Sequence, residues 1–403
     1  MKVIEINTIC YGSTGNIMKD IGECCEREGD EVFYALPNGR HMKNHYVENF
    51  IPIGGKISQD IHLVLGRLLG LNGMFSIIAT LRFIYKINII SPDIIHIHNL
   101  HKNFINIPIF FSYLKRNNIS VVWTLHDCWS FTGRCPHYII SKCNKWKTGC
   151  KKCPYPSNEY PQSYINTTFL QWKIKKYFFS ELQNLTIVTP SAWLAREVKS
   201  SFLKDHAIYV INNGIDTDVF RRVESEFRNQ YDLIGINVIL GVSMDWNYKK
   251  GLDIFKCLAK LLPDNYRIVL VGTSEEDDKH LPSEIISIHS INTSSELAEI
   301  YSMADVFVNP TREDTFPTVN IEALACGTPV ITHDVCGCAE IIDTYSGIAV
   351  MDNINDYYNA ILTVCEDKKF TEENCRKRAL NFVNSNKFKE YINLFHKICL
   401  EDA

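Results

Sequence analysis

The feature that most constrains this chain is an alternation of apolar runs of strand length with segments of helical period. KVIEINTI, DEVFYAL, DIIHIHN and SVVWTLHD are such runs, with helical segments at 17–28 and 103–115 between them. Near-continuous apolar strands are buried on both faces, and helical crossovers make neighbouring strands parallel, so the pattern specifies βαβ units. A second series repeats it: AIYVI at Ala207–Ile211, NVILGVS, a helix over 252–262, YRIVLVG, a helix over 295–303, DVFVNP, a further helix and TPVITHD. In 403 residues, at roughly 100 to 200 per domain, this predicts an α/β chain of two doubly wound, Rossmann-like domains. The expected division is 1–218, then a polar linker over 216–232, then 233–385, with the final helix (386–403) crossing back to the first domain. Loops at the carboxyl ends of such strands are expected to face a cleft that holds the ligand.

A formal charge of −4 gives no pull toward nucleic acid, so a nucleotide partner is expected to be a small ligand. The opening MKVIEINTIC reads as a strand and not as a leader, so the expected location is cytoplasmic. In that compartment fifteen cysteines read as reduced thiols or metal ligands. The longest uncharged apolar run, 68–81, is shorter than the ~20 residues of a membrane span but greasy enough to lie on a bilayer.

The stretch TREDTFPTVNIEALACGTPVI, Thr311 to Ile331, carries the chemistry. A strand ends at DVFVNP, a loop holds Arg312, Glu313 and Asp314, and Pro317 suits the first turn of a helix that Gly327 stops. Free N–H groups and the positive end of the helix dipole favour an anion such as diphosphate. Asp314 and Glu322 can each accept a pair of hydroxyl hydrogen bonds, which suits sugar and ribose diols. The plain alternative is that Asp314 caps the helix and Glu322 is a solvated helix residue.

This stretch resembles the nucleotide-sugar signature of the family-four retaining glycosyltransferases of GT-B fold: an acidic residue, seven residues, Glu, a small-residue helix end and GTPVI. The resemblance implies that Glu322 binds the ribose hydroxyls. It also implies that Asp314, with the backbone of the turn Thr315, Phe316 and Pro317, faces the donor sugar. The chain departs from the family in having Asp for the first Glu and TFPT for a glycine-rich turn. YGSTGN resembles the glycine loop beside the donor diphosphate, where Gly12 and Gly15 permit close approach, although a plain turn explains it equally well. TLHD resembles the family's strand-end histidine, implying that His126 contacts the transferred sugar. TPSAWLAREV and INNGIDTDVF resemble the end of the acceptor domain. In GVSMDWNYKKGLDIF, Lys250 matches the phosphate-binding lysine, while Val242 holds the place of an arginine for which Lys249 or Arg312 would substitute. The turn at Ile291 would approach the nucleobase through its backbone, and Gly337, Cys338 and Glu340 would be structural.

Between the regular parts lies an insert, roughly 129–162, with Cys135, Cys143, Cys150 and Cys153. Four thiols in one loop of low apolar content match a structural zinc site, with His137 as an alternative ligand; free thiols or a redox pair are the other readings. No Asp-x-Asp clamp suggests a catalytic metal. The stretch FLQWKIKKYFF places Trp172, Phe178 and Phe179 with Lys173, Lys175 and Lys176 on one helix, which either rests on an anionic bilayer or packs its aromatics inward.

The resemblance therefore implies a retaining hexosyltransferase that needs no catalytic metal and takes a nucleoside-diphosphate sugar. The TFPT turn, the WTLHD strand end and the insert resemble enzymes of bacterial surface polysaccharides such as lipopolysaccharide, O-antigen or capsule. The acceptor would be a lipid-linked oligosaccharide, met at the inner face of the plasma membrane. A sugar-nucleotide 2-epimerase and a non-catalytic scaffold on a degenerate fold are the rivals.

Overall fold

The computed structural model describes residues 1–39, 47–153, 162–366 and 370–401. The chain divides into two units, 1–212 with 387–403, and 213–386. The first unit holds β1 (Lys2–Ile6), β2 (Glu31–Asn38), β3 (Phe50–Gly55), β4 (Ile94–Ile97), β5 (Ser120–Thr124), β6 (Leu185–Thr189) and β7 (Ala207–Val210). They form one parallel sheet in the order β3-β2-β1-β4-β5-β6-β7. The second holds β8 (Asn237–Val242), β9 (Tyr266–Val271), β10 (Ile285–Ile288), β11 (Val306–Asn309), β12 (Val330–His333) and β13 (Gly347–Val350). Their parallel order is β10-β9-β8-β11-β12-β13.

Both sheets have the doubly wound layout that the alternation predicts. In each, the strand order reverses once, between β1 and β4 and between β8 and β11. Such a reversal opens a crevice at the carboxyl ends of the two strands, which is where ligands bind in this class of sheet.

The units meet in sequence at Asn212–Asn213, ahead of the expected boundary, and the segment 216–232 is no free linker. Arg228 ties it into the second unit, donating to the carbonyls of Met303 (2.8 Å) and Ile236 (3.1 Å) and to Asp305 (2.7 Å). Its polarity had suggested a solvated connector, and most of its charged side chains are indeed exposed, but Arg228 fastens it to the unit. The helix Asn384–Glu401 buries Phe388, Tyr391, Ile392 and Phe395 in one cluster with Val3, Ile94 and Val122. Each fully buried side chain of this kind contributes roughly 1.5–3 kcal/mol, which holds the end of the chain on the first sheet.

The insert also differs from expectation. Residues 154–161 lie outside those described, but Trp129, Phe131, Tyr138 and Trp146 belong to the first unit's main core. The loop is ordered by aromatic burial and is not poor in apolar anchors.

Candidate active site

In the second unit the site forms at the sheet's switch point, where the loops after β8 and β11 come together. After β8 the chain makes a short turn, Tyr248–Lys250, capped by the Asn247 side chain, which accepts from the N–H groups of Lys249 (2.8 Å) and Lys250 (3.2 Å). Gly251 follows at φ 74°, and a Cβ there would lie 2.5 Å from the Pro310 ring and 2.6 Å from its carbonyl oxygen. Only glycine lets the two loops approach so closely. The approach sets the Lys250 ammonium 3.1 Å from the Asp314 carboxylate. Their side chains are 38% and 26% exposed, so this is a half-open ion pair with ammonium donors to spare. The Asp314 charge raises the Lys250 pKa against the opposing effect of burial.

Arg312 lies beside this pair in sequence but has a different role. Its guanidinium donates to Asp253 (2.8 and 2.9 Å), to Asp352 (2.8 and 3.0 Å) and to the Tyr248 carbonyl (2.6 Å), and it stacks 4.0 Å from the Tyr248 ring. All five N–H groups are taken, so Arg312 does not stand in for the cation missing at Val242. It locks the Lys250 turn to the β11 loop instead. Lys249, 54% exposed, reaches no closer than 3.9 Å to Glu313.

The helix Thr318–Ala325 starts one residue later than expected, with Pro317 as its N-cap. Its base is held by a buried chain in which Asn309 donates to Asn320 (2.7 Å) and Asn320 to Thr332 (3.2 Å). Thr315 and Phe316 are buried side chains. Phe316 packs on Phe382 and its carbonyl accepts from Asn213 (3.0 Å). On the same helix Glu322 accepts from the buried Tyr301 hydroxyl at 3.0 Å, and burial raises its pKa. Tyr301, Asp253 and Asp352 were not singled out from sequence; only their distant contacts reveal them. Ile291 sits in the loop between β10 and the helix Ser294–Met303, and Gly327 closes the Thr318–Ala325 helix at φ 82°. Cys338 donates weakly to the Asp314 carbonyl, and Arg378 to the Glu340 carbonyl, both structural contacts.

His126, Gly12 and Gly15 belong to the first unit. Gly12 opens the helix Gly12–Arg27 at φ 66° in clear space. Gly15 has its close approach to its own chain, since a Cβ there would meet Cys10 at 2.6 Å. His126 follows β5 and joins a chain of polar contacts that the sequence did not reveal. His126 Nε2 is 2.9 Å from His98 Nδ1, and His98 Nε2 is 2.9 Å from Glu5. His96 Nδ1 lies 2.9 Å from both Glu5 oxygens, and His96 Nε2 meets the Thr124 hydroxyl at 2.8 Å. Strand register explains the assembly: Glu5 pairs with His96 across β1 and β4, and side chains two apart share a sheet face. Burial pushes His98 down to about 3 and His126 to about 4. Among the described residues, Glu5, His96 and His98 are the one group with ligand atoms within 4.8 Å of one another.

Cys135, Cys143, Cys150 and Cys153 line a single small cavity. Cys150 Sγ accepts from the Gly133 N–H at 3.1 Å. Yet no three of these sulfurs share the 4.8 Å spacing just described, so a closed tetrahedral site is not preformed. The helix Thr168–Ser180 packs Trp172 and Phe179 inward, the second of the two arrangements its sequence allowed. Lys175 is buried, donating to the carbonyls of Trp129 (2.7 Å) and Thr132 (3.2 Å). Among the described residues no helix is long and apolar enough to cross a membrane.

The family model for Glycosyltransferase Family 4 matches residues 14–219, and that for Glycosyl transferases group 1 matches 237–367. The chain is 27% identical over 270 residues to a putative colanic acid biosynthesis glycosyl transferase, WcaC, of Escherichia coli, covering 65% of each chain. It is 28% identical over 159 residues, 38% of this chain and 42% of the relative, to a Campylobacter jejuni N,N'-diacetylbacillosaminyl-diphospho-undecaprenol alpha-1,3-N-acetylgalactosaminyltransferase. Both matches span less than two thirds of the relative's length. The structure of Anabaena HepE in complex with UDP superposes with a TM-score of 0.70 at 15% identity, over 98% of this chain and 100% of that one, which shows the GT-B fold. Because the family-four model alone spans just over half of its residues, the chain belongs to Glycosyltransferase Family 4.

Proposed function

We propose that this protein moves a sugar, with retention and without a catalytic metal, from a nucleoside diphosphate to a hydroxyl of a lipid-linked oligosaccharide in surface-polysaccharide synthesis. The observation that carries the reading is the half-open Lys250–Asp314 pair at a switch point, beside a helix that bears Glu322. Departure of the diphosphate builds negative charge on the leaving oxygen, and a preorganised ammonium with spare donors stabilises it. Asp314 orients that ammonium and faces the sugar, and Glu322, held by Tyr301, takes the ribose hydroxyls. In retention the acceptor attacks the face that the diphosphate leaves, and a phosphate oxygen helps to take its proton. The name of the Campylobacter relative supports a diphospho-undecaprenol acceptor, and the HepE complex supports UDP.

The first test is thermal unfolding of wild type and Glu322→Ala with UDP, GDP, ADP and their sugar conjugates. Ligand at about 100 times its Kd adds roughly 2.7 kcal/mol, or several degrees. A shift with one nucleotide, lost in the variant, establishes the donor; no shift with any supports the degenerate scaffold. Acceptor-dependent release of the nucleoside diphosphate then separates transfer from 2-epimerisation.

The membrane contact of this reading lies on the helices Lys56–Leu69 and Ile77–Ile90. They leave Ile57 (77%), Ile61, Val64, Ile78 (68%), Leu81 and Ile89 exposed, flanked by Lys56, Arg67, Arg82 and Lys86 against the single acid Asp60. Apolar surface rimmed by cations suits an anionic bilayer. Co-sedimentation with phosphatidylglycerol vesicles, absent with phosphatidylcholine and lost in Ile57→Asp/Ile78→Asp, checks it. The four insert cysteines are read as structural zinc ligands whose sulfurs draw in around the ion. Metal analysis of protein purified without chelator decides this, and only traces of zinc would sink it.

A further inference from the structure

The helices Lys56–Leu69 and Ile77–Ile90 do more than expose apolar side chains. With the end of β3 they enclose a groove of about 840 Å³, within the roughly 300–1,000 Å³ of sites that hold small ligands. Ile57, Ile61, Phe75 and Ile78 line it. Gly54 stands at its base with φ 70°, where a Cβ would meet the Ala79 Cβ at 2.9 Å, so glycine lets the Ile77–Ile90 helix rest on the strand end. The walls are fixed too. Buried His62 accepts from the Gly73 N–H at 3.0 Å and bonds the Ser76 hydroxyl at 2.6 Å, which ties the Lys56–Leu69 helix to the segment entering the next one. A groove held open in this way demands little ordering when a ligand enters.

Charge and position say what fits. Arg82 and Lys86 line the groove one helical turn apart; among the described residues neither has an ion-pair partner, and no carboxylate lines the groove. Apolar walls with two unspent cations complement an apolar chain that carries an anionic group. The groove also adjoins the switch point of the first sheet. In the loop after β4, the Asn106 N–H donates to the Thr80 hydroxyl at 2.7 Å and the Asn103 carbonyl accepts from Ser76 at 3.4 Å. We propose that the groove binds the prenyl diphosphate end of the lipid-linked acceptor, with the diphosphate on Arg82 and Lys86 and the first isoprene units between the helices. The proposal rests on the reading of the acceptor as lipid-linked. It differs from a bilayer contact, which uses the outer residues Val64, Leu81 and Ile89 and needs no groove.

The test is calorimetric titration of the full chain with farnesyl diphosphate below its micelle concentration, beside farnesol and inorganic diphosphate. Farnesyl diphosphate is expected to bind, and each of the other two at least about tenfold more weakly. Arg82→Ala and Lys86→Ala should each weaken it about tenfold, and added salt should weaken it in wild type. Ser58→Trp, which puts an indole into the groove, should abolish binding at an unchanged Tm while phosphatidylglycerol vesicles still bind. Ile61→Asp, at a position 55% exposed, is the second variant and should also abolish it. Absence of binding, or binding that both variants leave intact, would overturn the proposal. So would joint loss of vesicles and farnesyl diphosphate in Ser58→Trp, which makes the face a bilayer contact only, or a dimer that Ile78→Asp dissociates, which gives the groove to a second copy. Sugar transfer with equal KM to acceptors with and without a prenyl tail would remove the groove and keep the transferase reading; farnesyl diphosphate binding without any transfer would do the reverse.

Discussion

Both units gather ionisable groups at the switch point of a parallel sheet, and they handle them in opposite ways. In the first unit Glu5, His96 and His98 sit on the strands, fully buried, and desolvation keeps the imidazoles neutral. In the second, Lys250, Asp314 and Arg312 sit on loops, and each has a partner of opposite sign. In a dry network each neutral imidazole donates at one nitrogen and accepts at the other. A paired, half-wet cluster carries charge that a ligand can share. Within the second cluster the contrast recurs: Arg312 has every donor satisfied and is structural, whereas Lys250 has donors left.

The largest effect that would break this contrast is on transfer. Lys250→Ala is expected to lower kcat about 10²–10³-fold, roughly 3 kcal/mol of transition-state stabilisation, while shifting Tm little. Steady-state kinetics beside a melting curve checks it, and a large Tm loss would place Lys250 with Arg312 instead. Arg312→Leu should do the reverse. It leaves Asp253 and Asp352 facing each other and costs about 2 kcal/mol of stability, below the ~3–5 of a fully buried pair because both carboxylates are partly solvated. Denaturant unfolding measures it.

The histidines predict a pH dependence. Burial lowers His96 and His98 from 6.5 to about 3 and His126 to about 4. Below pH 6.5 the unfolded chain binds protons that the folded chain refuses, so stability falls as pH drops toward 4. The slope is up to about 1.4 kcal/mol per pH unit for each imidazole. Tm measured from pH 7 to pH 4 should show it, and His98→Leu should flatten it. The smallest effect belongs to Lys249→Ala. Its ammonium is 54% exposed and 3.9 Å from the buried Glu313 carboxylate, too long for a hydrogen bond, and a change within about 1 kcal/mol is expected in stability and in transfer alike. A loss like that of Lys250 would make it a second donor cation.

The Asp314-to-Glu322 spacing, the Lys250–Gly251 pair and the helix between Pro317 and Gly327 were all legible, because each is local: a loop, a turn, a cap. So were the two doubly wound sheets, because strand-length apolar runs between helical periods admit few alternatives. HIHN was equally visible but read only as the end of a buried strand. Its meaning depends on Glu5, which neighbours it through β1–β4 pairing across 91 residues. Arg312 looked like a spare cation until Asp253 and Asp352 arrived from other loops. For Trp172 and Phe179 the sequence left a bilayer face and an inward-packed face both open, because helical period shows that side chains share a side and not what that side meets.

Local chemistry and periodicity, then, determined the elements and the fold class from sequence alone, and the family resemblance supplied the candidate donor-loop residues. Tertiary structure decided which charged groups are spent, which are shared, and which histidines gather around a buried carboxyl group. Those properties depend on partners and burial contributed by distant segments, and an amino-acid string records neither until strand register and loop approach bring them within hydrogen-bond reach.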